Sequence, residues 1–180
     1  MGRKKKIQIS PPAAPKKYPD FESIENSVPQ QLADEGLVYG LEPEKTMGYL
    51  GLRSRHLLND FAYITLIRQG VTRNSLEHLM LRTGLSVHEM ADFLETTDRT
   101  LRRYGADDKL TREQSERALE IAKLYTRGEE VFGDAETFKR WMDSNIRALG
   151  LQKPKSFLDT SLGIDLLLTI LGRIEHGVYS

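Results

Sequence analysis

The sequence predicts an all-α fold: a helix-turn-helix module packed on a C-terminal helical domain, behind a disordered basic N-terminal tail. Three observations predict it. Apolar residues recur at helical spacing from His56 onward, and no stretch alternates convincingly as a strand would. Two capping boxes, S-x-x-E at Ser86 to Glu89 and T-x-x-Q at Thr111 to Gln114, mark helix starts. The organisation reads as tail and linker at 1–52, helix-turn-helix at 53–108 and a second helical domain at 109–180, with "ADDKL" as the break.

The first segment is set apart by charge. The stretch "GRKKKIQISPPAAPKKYP" holds basic runs and four prolines, the composition of a disordered tail. Residues 18–50 then carry seven acids against Lys45 alone, so the net charge of zero over 180 residues conceals opposite patches. Residues 20–52 have no sustained period and read as a linker with one or two short helices.

Each later element has a local reason. From His56, the residues Leu57, Leu58, Phe61, Ile64 and Thr65 form an amphipathic stripe. Thr72 can cap a second helix with Leu76, Leu79 and Met80 inward, ended by Gly84 with Leu85 as the apolar contact beyond it. Ser86 and Glu89 open a third, with Met90, Ala91 and Leu94 inward. Asp98 can cap a short fourth helix that Gly105 ends. Thr111 opens a long helix near 112–131 with Ala118, Ala122 and Tyr125 on one face. Asp134 can cap a helix carrying Phe138, Trp141 and Met142 as far as Gly150. Pro154 begins a short turn, and a last helix runs from about Ser161 to His176.

Several function classes find no support. Without cysteine there is no disulfide scaffold, thiolate metal site or thiol nucleophile, which is compatible with a reducing compartment. No run reaches the length of a membrane span and no apolar signal core follows the lysines, so a cytoplasmic protein is expected. "HEMAD" at 88 lacks the second histidine of H-E-x-x-H, and neither G-x-x-x-x-G-K-[ST] nor G-x-G-x-x-G occurs. Glu175 and His176 could form an acid/base pair, but adjacent helical residues point about 100° apart and converge poorly on one substrate. We expect no catalytic residue, no metal and no cofactor, and hence no enzyme.

The segment "SVHEMADFLETTDRTLRRYG" has the layout of a helix-turn-helix, with Ala91 where two helices cross closely. At about 100° per residue, Arg102 and Arg103 lie within roughly 60° of Arg99, while Leu101 and Tyr104 lie opposite. Thr97 and Thr100 flank the arginines. Arginine can fork onto guanine or clamp phosphate, and threonine suits phosphate, so Thr97, Arg99, Thr100, Arg102 and Arg103 are the predicted DNA contacts. The alternative is a solvated charged face. Many such motifs place glycine at the turn, where this chain has Glu95; Glu95 and Asp98 must angle away from phosphate.

The last helix has an unusually wide apolar sector. Leu162, Ile164, Leu166, Leu167, Leu168, Ile170, Leu171 and Ile174 leave only a narrow strip for Asp165, Thr169, Gly172 and His176. Either the helix is central in its own domain or a second face meets a partner.

The stretches "RTGLSVHEMADFL", "DRTLRRY", "SERALEIAKLYTRGEEVFGD", "RWM", "ALGLQKPKSFLDTSLG" and "LGRIEHGVYS" resemble the Xre/MbcA/ParS antitoxins, partners of RES-domain toxins. The resemblance covers about residue 56 to the end. It implies an Xre-like helix-turn-helix that binds the operator of its own operon, with 98–104 as the reading helix, and a C-terminal toxin-binding domain. It further implies that Arg173, Ile174, Glu175, His176, Gly177, Val178, Tyr179 and Ser180 cover or enter the NAD pocket of the toxin. A homodimer or higher oligomer within a toxin-antitoxin complex is implied too. The rival reading is a plain helix-turn-helix regulator whose C-terminal domain only dimerises it.

Overall fold

The computed structural model describes residues 43–52 and 60–177, and every named element in it is helical. The α-helices are α1 (Pro43–Tyr49), α2 (Asp60–Gln69), α3 (Arg73–Thr83), α4 (Val87–Phe93), α5 (Asp98–Arg103), α6 (Arg112–Phe132), α7 (Ala135–Met142) and α8 (Ser161–Glu175). Two 3-10 turns, Arg147–Leu149 and Pro154–Phe157, join α7 to α8. The basic tail predicted at 1–17, and Leu57 and Leu58 of the first stripe, lie outside the described residues.

α6 is the spine. It opens with the expected capping box, Thr111 Oγ1 accepting from the Gln114 amide at 3.2 Å and Gln114 Oε1 accepting from the Thr111 amide at 3.1 Å. Ala118, Leu119, Ile121, Ala122, Leu124 and Tyr125 are all buried along it. α1, α2, α7 and α8 pack on it, so one continuous core runs through both halves. Gly128 lets α7 approach: a Cβ there would stand 2.4 Å from the Phe138 ring. Phe138 is fully buried, edge-on to Tyr125 and stacked on Trp141, a placement worth roughly 3 kcal/mol of burial for that side chain alone.

The segment expected as a linker contributes to this core. Met47, Tyr49 and Leu50, on or just after α1, are buried. The Tyr49 hydroxyl donates to Glu129 of α6 at 2.8 Å, and the Arg82 guanidinium of α3 lies 4.6 Å from the Tyr49 ring centre. Burial, then the Glu129 bond, raises the Tyr49 pKa, so the phenol stays a donor.

Four local expectations are corrected. In α2, Ile64 is 42 % exposed, while Ala62, Tyr63 and Thr65 are buried; contact with α6, where Lys123 Nζ lies 4.1 Å from the Tyr63 ring centre, rotates the stripe. α5 is capped by Thr97, not Asp98, and is ended by the extended backbone of Tyr104, not by Gly105. α7 stops at Met142, well before Gly150. There the Ser144 hydroxyl donates back to the Arg140 carbonyl, Lys155 holds Asp143 at 2.6 Å, and Ile146 pairs with Gln152 in an isolated bridge. Gly150 instead caps the 3-10 turn, and Leu151 beside it also has a left-handed φ of 63°.

Candidate functional site

The helix-turn-helix is built as its residues dictate. Ser86 Oγ accepts from the Glu89 amide at 3.2 Å, and Glu89 returns the bond to the Ser86 amide at 2.9 Å. Ala91 is fully buried where α4 meets its partner helix. The turn closes through the Thr96 amide onto the Ala91 carbonyl at 2.9 Å. Glu95 has a φ of 50°, the left-handed conformation for which glycine is the natural residue. Thr97 Oγ1 then accepts from the Thr100 amide at 3.1 Å, and the two threonine hydroxyls lie 2.9 Å apart.

The arginine face expected of α5 is exposed to solvent. Leu101 is fully buried, Tyr104 is half-buried, and Arg99, Arg102 and Arg103 are exposed. Among the described residues none of these three arginines has an ion-pair partner. Thr97 and Thr100 are partly occupied with each other as the cap. Asp98 is turned to His88, whose Nδ1 lies 3.2 Å from its carboxylate, while His88 Nε2 lies 3.7 Å from Asp92. The Asp98 hydrogen bond, with both carboxylates nearby, raises the His88 pKa, favouring the cation that offsets Asp98.

α8 answers the question left open by its composition. Thr160 caps it, and Gly163 fits against the Phe157 carbonyl, 2.1 Å from where a Cβ would be. Ile164, Leu167, Ile170 and Leu171 are buried, with Leu168 and Ile174 packed at the margin. Leu162 is 80 % exposed and Leu166 43 %. On a 100° wheel these two share one face with Thr169, Gly172, Arg173 and His176. The helix is therefore not central: its apolar residues divide between a core face and an outer face. A Cβ on Gly172 would meet nothing within 4 Å, so the chain's own packing does not call for glycine there.

The predicted C-terminal contacts separate in the same way. Arg173, His176 and Gly177 are exposed. Ile174 packs on the core, and Glu175 is ion-paired with Arg127 of α6, which also contacts Glu130. Gly177, with a φ of 66°, lets the chain leave the helix after the His176 cap. Val178, Tyr179 and Ser180 lie outside the described residues.

Sequence reasoning missed the residues that join the two surfaces. Lys155, before α8, bonds Glu89 of the α4 capping box at 2.8 Å and Asp143 after α7 at 2.6 Å. Burial pushes the Glu89 carboxyl up, but the bonds from Lys155 and from Ser86 outweigh it and hold the pKa down to about 2. Arg82 and Glu129, 3.8 Å apart across Tyr49, form a second tie. No local pattern announces either tie. The described residues contain no group of His, Asp and Glu that could hold a metal, and no helix long and apolar enough to cross a membrane.

Comparison with known proteins matches both halves. Residues 62–123 match the Antitoxin Xre-like helix-turn-helix domain, and residues 127–177 the Antitoxin Xre/MbcA/ParS C-terminal toxin-binding domain. Both matches meet on α6. A protein named Antitoxin Xre from Photorhabdus laumondii subsp. laumondii is 35 % identical over 80 residues, 44 % of this chain and 54 % of that protein. One of the same name from Yersinia enterocolitica serotype O:8 / biotype 1B is 29 % identical over 116 residues, 63 % of this chain and 78 % of that protein. The chain thus spans about half the length of the first relative.

Proposed function

We infer the function from kinship, for this chain belongs to the Xre/MbcA/ParS family of antitoxins. It is an antitoxin without enzymatic activity of its own. It neutralises a RES-domain, NAD-consuming toxin by covering the toxin's active site, and it represses its own operon through α5. It works as a homodimer or higher oligomer in the cytoplasm, with domains at 53–108 and 109–180.

One observation carries this reading: two modules that share α6 each expose, among the described residues, a surface of opposite chemistry. On one module, Arg99, Arg102 and Arg103 are exposed and without an ion-pair partner among the described residues, suited to guanine edges and phosphate, with Thr97 and Thr100 beside them. On the other, Leu162 and Leu166 expose apolar area in the segment matched to a toxin-binding domain. Arg173, His176 and Gly177 extend that face toward Val178, Tyr179 and Ser180, with Ile174 and Glu175 anchoring its base. Val178 and Tyr179 supply apolar area with a hydroxyl, suited to entering a pocket.

Co-expression with a RES-domain toxin, taken from the adjacent reading frame where one is found there, tests it. NAD levels should survive with the intact chain and collapse with Leu162→Glu plus Leu166→Glu, or with Val178 to Ser180 deleted; operator binding should persist in both. Arg102→Ala plus Arg103→Ala should do the reverse. Full protection of NAD by the deletion would remove the tip from the mechanism. No protection of NAD by the intact chain, with the leucine variant turning a dimer into a monomer, would favour a plain regulator whose second domain only dimerises it.

A further inference from the structure

Arg73 is an unusual residue for the start of a helix, because it is 8 % exposed. Burying a guanidinium is costly unless its donors are used. Its Nη1 lies 3.0 Å from the Glu77 carboxylate without the alignment of a hydrogen bond. Its Nε donates to the Leu101 carbonyl at 3.0 Å, across 28 residues of sequence. That carbonyl belongs to the last turn of α5, where helix carbonyls lack partners and a cation is favoured. The Arg73 backbone grips the same region: its amide donates to the Asp108 carbonyl at 2.8 Å, and the next amide, Asn74, to the Ala106 carbonyl at 3.0 Å.

We propose that Arg73 is a positioning residue for DNA reading, holding the C-terminal end of α5 so that Arg102 and Arg103 meet the base edges in register. This rests on the reading of α5 as the DNA-contacting helix. A six-residue helix cannot hold its own axis, since isolated helices this short are not stable in water. Leu101 fixes its depth, Thr97 its first turn, and Arg73 its far end, next to the two arginines. Reading a base edge needs tighter placement than neutralising a phosphate. Loss of the Arg73 bond should therefore cost specificity before it costs general affinity.

The test compares binding to a duplex of the protein's own promoter with binding to an unrelated duplex of equal length. In the full chain, Arg73→Met should lower the specific-to-nonspecific ratio about tenfold, through the specific arm, and Arg73→Lys should restore most of it. Ile121→Val, a core change on the buried face of α6, should lower the melting temperature and leave the ratio unchanged. In the free protein, hydrogen exchange at the Arg102 and Arg103 amides should speed up in Arg73→Met while α8 amides stay protected; this holds even if the variant binds no DNA. An unchanged ratio in Arg73→Met, or an equal fall in Ile121→Val, overturns the positioning role. If Arg102→Ala plus Arg103→Ala also binds the promoter like the parent, the DNA reading of α5 falls, and the positioning role with it.

Discussion

The two helices to which we assign partner contacts are held in opposite ways. α5 has six residues and buries one side chain, Leu101; its position is set from outside by the Thr97 hydroxyl, the Glu95 turn and Arg73. α8 has 15 residues and buries five of them against its surroundings, so hydrophobic area holds it, with enough left over to expose Leu162 and Leu166. A short polar helix shows its chemistry openly and borrows its placement. A long apolar helix secures its placement and conceals which of its faces is free.

The strongest way to break this contrast is to remove area under α8. Leu171→Ala should cost about 3 kcal/mol in urea unfolding, since Leu171 is fully buried. Because both family-matched segments share α6, unfolding should stay a single transition. Two separate transitions would show that the halves are held independently.

A smaller effect should follow from cutting a tie between the surfaces. Lys155→Ala should cost about 1 kcal/mol at pH 7 by releasing Glu89 and Asp143. Glu89 has a folded pKa lowered from 4.5 to about 2, so its contribution is complete above the ordinary carboxylate range and is lost as pH falls through that window. The gap between parent and variant should therefore close between about pH 4.5 and pH 2 in thermal melts. A gap that stays constant would mean that Lys155 acts through packing.

The smallest effect sharpens the α5 side. Glu95→Gly should raise stability by about 0.5 kcal/mol, the left-handed strain it relieves slightly exceeding the entropy cost of glycine. A loss instead would show that the exposed Glu95 side chain makes a contribution the turn geometry does not reveal.

Much of this was legible because the signals are local. Capping boxes at Ser86 and Thr111, the Thr72 and Asp134 caps, and the Gly84 stop involve residues three or four apart, and each formed as expected. The arginine face of α5 followed from helical spacing alone. Apart from the α5 cap, set locally by Thr97, the larger errors lie where distant residues outweigh local ones. Ile64 turned outward because α6 selected another face of α2. α7 ended early because Lys155 and the bridge from Ile146 to Gln152 took over the chain after Met142. The apolar cluster "MGYL" at 47–50 was the one visible sign that the linker would enter the core.

By itself the sequence determined that the chain is helical, where most helices begin, and that α5 presents three arginines. These follow from backbone capping and a 3.6-residue period, which need no distant partner. Only the tertiary structure decided that α6 serves both halves, that a buried Arg73 holds the end of α5, and that α8 leaves Leu162 and Leu166 exposed. Those outcomes depend on which surfaces meet. The wheel of a helix counts its apolar residues, but the neighbour that packs on it chooses which of them leave water.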